Sequence, residues 1–189
     1  EIKNPLTPIQ LTIDRIKNKY SGQISDDDKK NFEENLKIIN NQIKQIENLV
    51  NEFSDFARMP KPIFKKNDLI KIVSENISLM KELDSSINIT FNHNEKNIFI
   101  KCDAEQLNRI FINLLKNSIE SINEKFTKKP HFTKKIDIEI DAKDDYIEIC
   151  IRDNGIGFED KDLTKILKPY FTTKKDGSGL GLPIVNKII

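Results

Sequence analysis

The stretch Tyr146-Ile147-Glu148-Ile149-Cys150-Ile151-Arg152-Asp153-Asn154-Gly155-Ile156-Gly157-Phe158 decides how this chain is read. Its first half alternates apolar and polar residues with the period of a half-buried strand. Its second half breaks the alternation with Gly155 and Gly157, which let the backbone turn sharply and approach a ligand. Upstream, Ile136-Asp137-Ile138-Glu139-Ile140 alternates in the same way, across a turn containing Asp144 and Asp145. The two runs predict an antiparallel hairpin with one wet face. At its end Asp153 can accept a hydrogen bond from an exocyclic amine such as that of adenine; an ordinary Asp-Gly turn is the alternative.

Working outward toward the N-terminus, Ile87 to Phe91 and Ile98 to Ile100 also alternate like strands, and Asp68 to Leu83 reads as a helix. A long helix is expected from Asp103, a plausible N-cap with Gln106 three residues on. Leu107, Ile110, Leu114 and Ile122 can form its core face. Helices gathered on one face of such a sheet make an α+β two-layer sandwich. Asn113 and Asn117 lie one turn apart on this helix and share a face. An Asn carbonyl is a hard oxygen ligand suited to a nucleotide-bound Mg²⁺. A pair of solvated amides in an Asn-rich chain is the plainer reading.

Toward the C-terminus, Gly177-Ser178-Gly179-Leu180-Gly181-Leu182 leads into a helix-like run. Backbone N–H groups at a glycine-rich helix start favour phosphate. This is not a P-loop, because the Gly-Lys-Ser/Thr ending is missing. Nor is it a dinucleotide fingerprint, because Leu182 stands where the third glycine is needed. Pro169 to Lys175 lies between the two glycine clusters and reads as a lid, with Lys174 or Lys175 available to phosphate oxygens.

The first 57 residues are of another kind. Ile2, Leu6, Ile9, Ile13, Ile16 and Tyr20 step by four and three, and so do Phe32, Leu36, Ile39, Ile43, Ile46, Val50 and Phe53. That is a heptad seam on two successive helices. Gly22 stops the first helix, and Ser25 can cap the second, with Asp26, Asp27 and Asp28 at the positive end of its dipole. A hairpin this short cannot bury its own seam. Pairing with a second copy into a dimeric four-helix bundle is the expected solution, and packing onto the rest of the chain is the alternative. Pro60 and Pro62 end the second helix. The expected organisation is a helical hairpin over 1–57, a linker over 58–66 and an α+β domain over 67–189.

Composition sets outer bounds. Thirty-one basic and 30 acidic residues leave a net charge of +1, which gives no footprint for nucleic acid. Cys102 and Cys150 lack metal-site spacing and read as buried free thiols of a reducing compartment. No apolar run approaches the ~20 residues that span a bilayer, so membrane contact by these residues is not expected. The start at Glu1 and the apolar run Ile184 to Ile189 at the end read as the edges of a fragment.

In order and spacing the clusters at Asn113–Glu120, Asp153–Phe158, Pro169–Lys175 and Gly177–Leu182 resemble the N, G1, F and G2 boxes of the histidine-kinase ATPase domain, the Bergerat fold. Glu1-Ile2-Lys3-Asn4-Pro5-Leu6-Thr7-Pro8-Ile9 resembles the segment that follows the phosphoacceptor His in that family's H box. Within the sensor histidine kinases, Glu120 and Phe171 to Lys174 most resemble the nitrogen-regulation and dicarboxylate sensor group, and the opening segment with Phe56 to Pro60 is most similar to the membrane-bound nitrogen sensor kinases of the NtrY type.

The resemblance implies autophosphorylation on a His just before Glu1, then phosphoryl transfer to the Asp of a response-regulator receiver domain, with a possible reverse phosphatase reaction. Glu1 would orient and deprotonate the imidazole, and Asn4 would place water in the reverse reaction. Asn113, Asn117, Asp153, Gly155, Gly157, Thr173, Lys174, Gly177, Gly179, Leu180 and Gly181 would line the ATP site, Asn117 holding Mg²⁺ and Asp153 the adenine. The location implied is cytoplasmic, in a longer protein anchored in the inner membrane.

The only histidines, His93 and His131, read as surface residues, so the chain as written is expected to carry no phosphoacceptor. It is also expected to stop before the family's remaining helix and last strand. Two other functions compete with this one: an ATP-hydrolysing chaperone or topoisomerase relative, and a catalytically dead dimeric adaptor. The hydrolases place a Glu where this chain has Asn113, and the intact Asn117 and Asp153 speak against the adaptor.

Overall fold

The computed structural model describes residues 6–159, 162–174 and 177–189. It divides into two compact units, Glu1–Met59 with Thr173–Ser178, and Pro60–Thr172 with Gly179–Ile189.

In the first unit, α1 (Leu6–Tyr20) and α2 (Asp26–Ala57) form the expected hairpin. The Ser25 hydroxyl accepts the N–H of Asp28 at 3.3 Å, which satisfies one of the donors that a helix start leaves open. At the far end the Arg58 N–H closes on Ser54 O at 2.9 Å, two residues before Pro60. The heptad seam splits into two rows. Leu6 and Ile13 of α1 are buried with Leu36 and Ile43 of α2, one heptad apart on each helix, with Phe32 packed against them. The alternate positions Ile9, Ile16, Ile39, Ile46 and Phe53 remain 37–46% exposed. One row therefore closes the hairpin, and the second is an apolar face left over.

The second unit runs β1 (Lys65–Asp68), α3 (Leu69–Leu83), β2 (Asn88–His93), β3 (Phe99–Cys102), α4 (Ala104–Lys128), β4 (Lys135–Ala142), β5 (Ile147–Asp153) and α5 (Gly181–Ile188). β4 is the middle strand of a three-stranded sheet. It pairs in parallel with β2 (Ile89 opposite Ile136) and antiparallel with β5 (Ile136 opposite Asp153). The Lys143 N–H donates to Tyr146 O at 2.8 Å and closes the predicted hairpin. β1 and β3 form a separate antiparallel pair. Ile136, Ile138 and Ile140 on the inner face of β4 share one core with Val73, Ile77 and Met80 of α3 and Phe111, Leu115 and Ile122 of α4. Each such side chain contributes about 1.5–3 kcal/mol by leaving water. This is the two-layer α+β arrangement expected.

Several local readings need correction. The tetrapeptide Lys65–Asp68 is strand rather than linker or helix start, and Asp68 is the N-cap of α3, accepting the Ile70 N–H at 3.1 Å. Asp103 does cap α4, accepting the N–H groups of Glu105 and Gln106 at 2.9 and 3.1 Å. The Gln106 side chain makes no reciprocal capping bond; its Nε2 donates to Pro60 O at 3.3 Å. The buried residues of α4 are Ile110, Phe111, Leu115, Ser118 and Ile122, with Leu107 packed at the edge of the core and Leu114 only half-buried. Ile110 and Ile122 are thus buried as expected, and Phe111 and Leu115 widen the inner face beyond the residues expected. Cys102 is buried as expected, whereas Cys150 is half-buried.

Candidate nucleotide-binding site

Three pieces of the second unit converge. They are the middle of α4, the turn that follows β5, and the start of α5. Asp153 ends β5, and its side chain is exposed. Its Oδ1 accepts the Gly155 N–H at 2.9 Å, and its Oδ2 accepts the Ser118 hydroxyl at 3.1 Å. An ionised carboxylate offers about four acceptor positions. One donor on each oxygen fixes the plane of the group and leaves lone pairs facing outward, as recognition of an amine requires. The turn reading and the ligand reading of Asp153 are thus compatible: the residue holds the Gly155 turn and still presents acceptors.

The glycines differ in their reasons. A Cβ on Gly155 would stand 2.7 Å from Ser121 C and 2.8 Å from Ile122 N, so the turn lies directly on the α4 backbone. There the Ile156 N–H reaches Ser121 Oγ at 3.1 Å. Gly157 has open space around it but a φ of +69°, a conformation that side-chain-bearing residues rarely adopt. Gly179 combines both conditions, with φ +68° and a Cβ position 2.7 Å from Phe171 O. Its carbonyl accepts the Tyr170 N–H at 3.1 Å.

Asn113 and Asn117 face the first residue of α5. A Cβ on Gly181 would stand 3.0 Å from Asn113 Oδ1 and 3.7 Å from Asn117 Nδ2. The Asn113 Nδ2 donates to Arg109 O at 2.8 Å, which aims its oxygen away from its own helix. The N-cap of α5 is Leu180, whose apolar side chain makes no capping hydrogen bond. Asn113, Asn117, Asp153, Gly155, Gly157, Gly179, Leu180 and Gly181 therefore all belong to one unit. Thr173, Lys174 and Gly177 fall in the other grouping, where the Gly177 N–H donates to Lys174 O at 3.3 Å. Glu1 and Asn4, and Lys175 of the lid, lie outside the described residues.

Among the described residues no group of three or more His, Cys, Asp or Glu could hold a metal ion. A cation here would rest on amide oxygens together with ligand oxygens, the donor set in which Mg²⁺ takes most of its coordination from phosphates and water. The residues present fit that arrangement.

Sequence reasoning overlooked the groups that hold the turn. Asn154 accepts the Lys135 N–H on Oδ1 at 3.0 Å and donates Nδ2 to Thr133 O at 2.7 Å, fastening the end of β5 to the start of β4. The Lys125 Nζ donates to Asn154 O at 2.5 Å. Nothing in the sequence singles out Ser118, Ser121 and Lys125 on α4 as their neighbours.

Comparison with known proteins places this geometry. Residues 102–189 match the family model for the histidine kinase-, DNA gyrase B- and HSP90-like ATPase, and residues 1–62 match that for the His Kinase A phospho-acceptor domain. Over its full length the chain is 42% identical to an NtrY-like sensor histidine kinase of Rickettsia prowazekii, of which it spans 30%. The chain belongs to the sensor histidine kinase family. It is also 34% identical to the nitrogen regulation protein NtrY of Azorhizobium caulinodans, of which it spans 24%. Among solved structures, histidine kinase ThkA in complex with response regulator protein TrrA matches all of the chain and 51% of its own, with a TM-score of 0.69 and 25% identity. The catalytic domain of ThkA alone matches 67% of the chain and 80% of its own, with a TM-score of 0.58 and 26% identity. The hairpin and the α+β unit are thus the two domains of a histidine kinase core. Among the described residues no helix is long and apolar enough to cross a membrane.

Proposed function

We propose that this chain is the dimerising and catalytic core of a two-component sensor kinase. It binds Mg·ATP in the second unit; in the parent kinase the γ-phosphoryl group passes to a His just before Glu1, from which a response-regulator Asp receives it, whereas the chain as written, with His93 and His131 alone, does not phosphorylate itself. The observation that carries this reading is the single constellation of Asp153, the Gly155 turn and the Asn113–Asn117 face set against the start of α5. An adenine amine fits the outward acceptors of Asp153, and phosphates fit the N–H groups at the start of α5.

The cation would supply charge neutralisation between the phosphates, held from the protein side by the oxygen of Asn117, with Asn113 beside it. Phosphoryl transfer of this kind is mostly positioning and charge stabilisation, which is what these residues can provide. Gly155, Gly157 and Gly179 let the backbone approach the nucleotide, and Leu180 and Gly181 begin the phosphate-facing helix. By the family resemblance, Thr173 and Lys174 would belong to a lid and Gly177 to the glycine cluster that follows it. Glu1 would act as base toward the phosphoacceptor imidazole, and Asn4 would place water in the reverse reaction. At the position of Asn113 a dedicated ATP hydrolase needs a base for water; an amide whose Nδ2 is committed to Arg109 O has no such capacity.

The exposed row Ile9, Ile16, Ile39, Ile46 and Phe53 is the face through which residues 1–57 pair with a second copy, giving a four-helix bundle followed by a short linker and the domain over 67–189. The family and the lack of a spanning helix among the described residues suit a cytoplasmic core in a membrane-anchored sensor of the nitrogen-regulation type. Titration of ATP with and without Mg²⁺ tests the site. Wild type should bind more tightly with Mg²⁺, and Asn117→Ala should lose that increment. Equal affinity with and without Mg²⁺ in wild type would contradict the assignment of Asn117.

A further inference from the structure

Ser118, Ser121 and Lys125 step by three and four along α4, so they lie on one face. Each binds a different residue at the end of β5 or in the turn that follows it. Ser118 Oγ donates to Asp153 Oδ2 at 3.1 Å, Lys125 Nζ donates to Asn154 O at 2.5 Å, and Ser121 Oγ accepts the Ile156 N–H at 3.1 Å. Gly155 lies between them, with no room for a Cβ against Ser121 and Ile122. The hydroxyl of Ser118 belongs to a residue only 6% exposed, buried on the core side of Asp153. The Lys125 ammonium is held from a second direction by the Phe132 ring, 4.8 Å from its centroid.

We propose that Ser118 and Lys125 are positioning residues for base selection: they set the plane of the Asp153 carboxylate against α4 before any nucleotide arrives, and act on the base only through Asp153. The proposal rests on the reading of Asp153 as the adenine acceptor. The physical reason is the direction of hydrogen bonds. A carboxylate pinned by one donor on each oxygen has its remaining lone pairs in fixed positions, whereas one held only by Gly155 N–H can rotate about its Cβ–Cγ bond. Preorganised acceptors discriminate between ligands more sharply than mobile ones, because no ordering cost falls on binding. The same helix carries Asn113 and Asn117 just before Ser118, with Lys125 about two turns beyond it, so α4 acts as one rigid rail from phosphate end to base end.

The test compares ATP with inosine triphosphate, which differs in the base by carrying a carbonyl in place of the exocyclic amine. Titrations use the full chain as wild type, Ser118→Ala, Lys125→Met and Lys125→Arg. Alanine suits a helix interior, so the Ser118 variant should fold. Wild type should prefer ATP, and Ser118→Ala should reduce that preference by about tenfold, the scale of one hydrogen bond to a charged group. Lys125→Met should narrow it in the same direction, and Lys125→Arg, which keeps a donor, should restore it. A merely structural role would weaken both nucleotides equally, and an unchanged ratio in folded Ser118→Ala would overturn the proposal. A wild type that binds both nucleotides equally would instead overturn the assignment of Asp153 itself.

Discussion

The amide oxygen of Asn113 stands 3.0 Å from the point where a Cβ on Gly181 would be. Two segments 68 residues apart in sequence thus meet where a nucleotide's phosphates and cation are proposed to bind. Gly181→Ala would press Asn113 aside by a few tenths of an ångström. Overpacking of this size costs on the order of 1 kcal/mol, so Mg·ATP affinity should fall about fivefold. Titration calorimetry checks it, and an unchanged affinity would mean that Asn113 does not need this position.

The hairpin makes a distinction that a heptad count cannot. Ile43 is 4% exposed inside the single hairpin, whereas Ile46 is 45% exposed on the leftover row. Ile46→Asp should give a folded monomer, because it places a carboxylate in the proposed interface only. Ile43→Asp should unfold the hairpin as well. Light scattering with circular dichroism separates the two outcomes; a dimeric Ile46→Asp would show that the pairing face lies elsewhere.

The start of α4 depends on Asp103. Its Oδ2 accepts the Ile63 N–H at 2.6 Å and its Oδ1 caps the helix, and these bonds, that of Ile63 foremost, hold its carboxyl below the ordinary carboxylate range. Asp103→Ala should cost about 1–2 kcal/mol at neutral pH, the usual value of a good N-cap. A folded-state pKa below the unfolded one means stability that is present above the ordinary range and lost as pH falls through and beneath it. The melting-temperature gap between wild type and variant should therefore narrow below about pH 4. A gap independent of pH would show that the ionised form is not what matters.

Periodicity made the hairpin and the β4–β5 pair legible, and the four motif clusters made the candidate site legible. The rest depended on tertiary partners. Lys65–Asp68 has no alternation; it is a strand because β3 offers an edge and because Asp68 caps α3. The parallel pairing of β2 with β4 follows from topology rather than from any local pattern. The inner face of α4 takes in Phe111 and Leu115 besides the expected Ile110 and Ile122, because both reach the core shared with β4. Ser118 and Lys125 gave no signal because an isolated Ser or Lys on a helix is ordinarily solvated; only the close approach of the Gly155 turn gives them partners.

The most direct test of the account is titration of ATP and GTP against wild type and Asp153→Asn. The variant keeps the size of the side chain, and its Oδ1 can still accept the Gly155 N–H, so the turn should persist. Its Nδ2, however, would set a donor against the donating amine of adenine. That mismatch should cost about 2–3 kcal/mol, a loss of roughly 30- to 150-fold in ATP affinity. Guanine carries a carbonyl at that place, so the account predicts that wild type rejects GTP and that the preference for ATP collapses in the variant. A folded Asp153→Asn protein with the ATP-to-GTP ratio of wild type would contradict it.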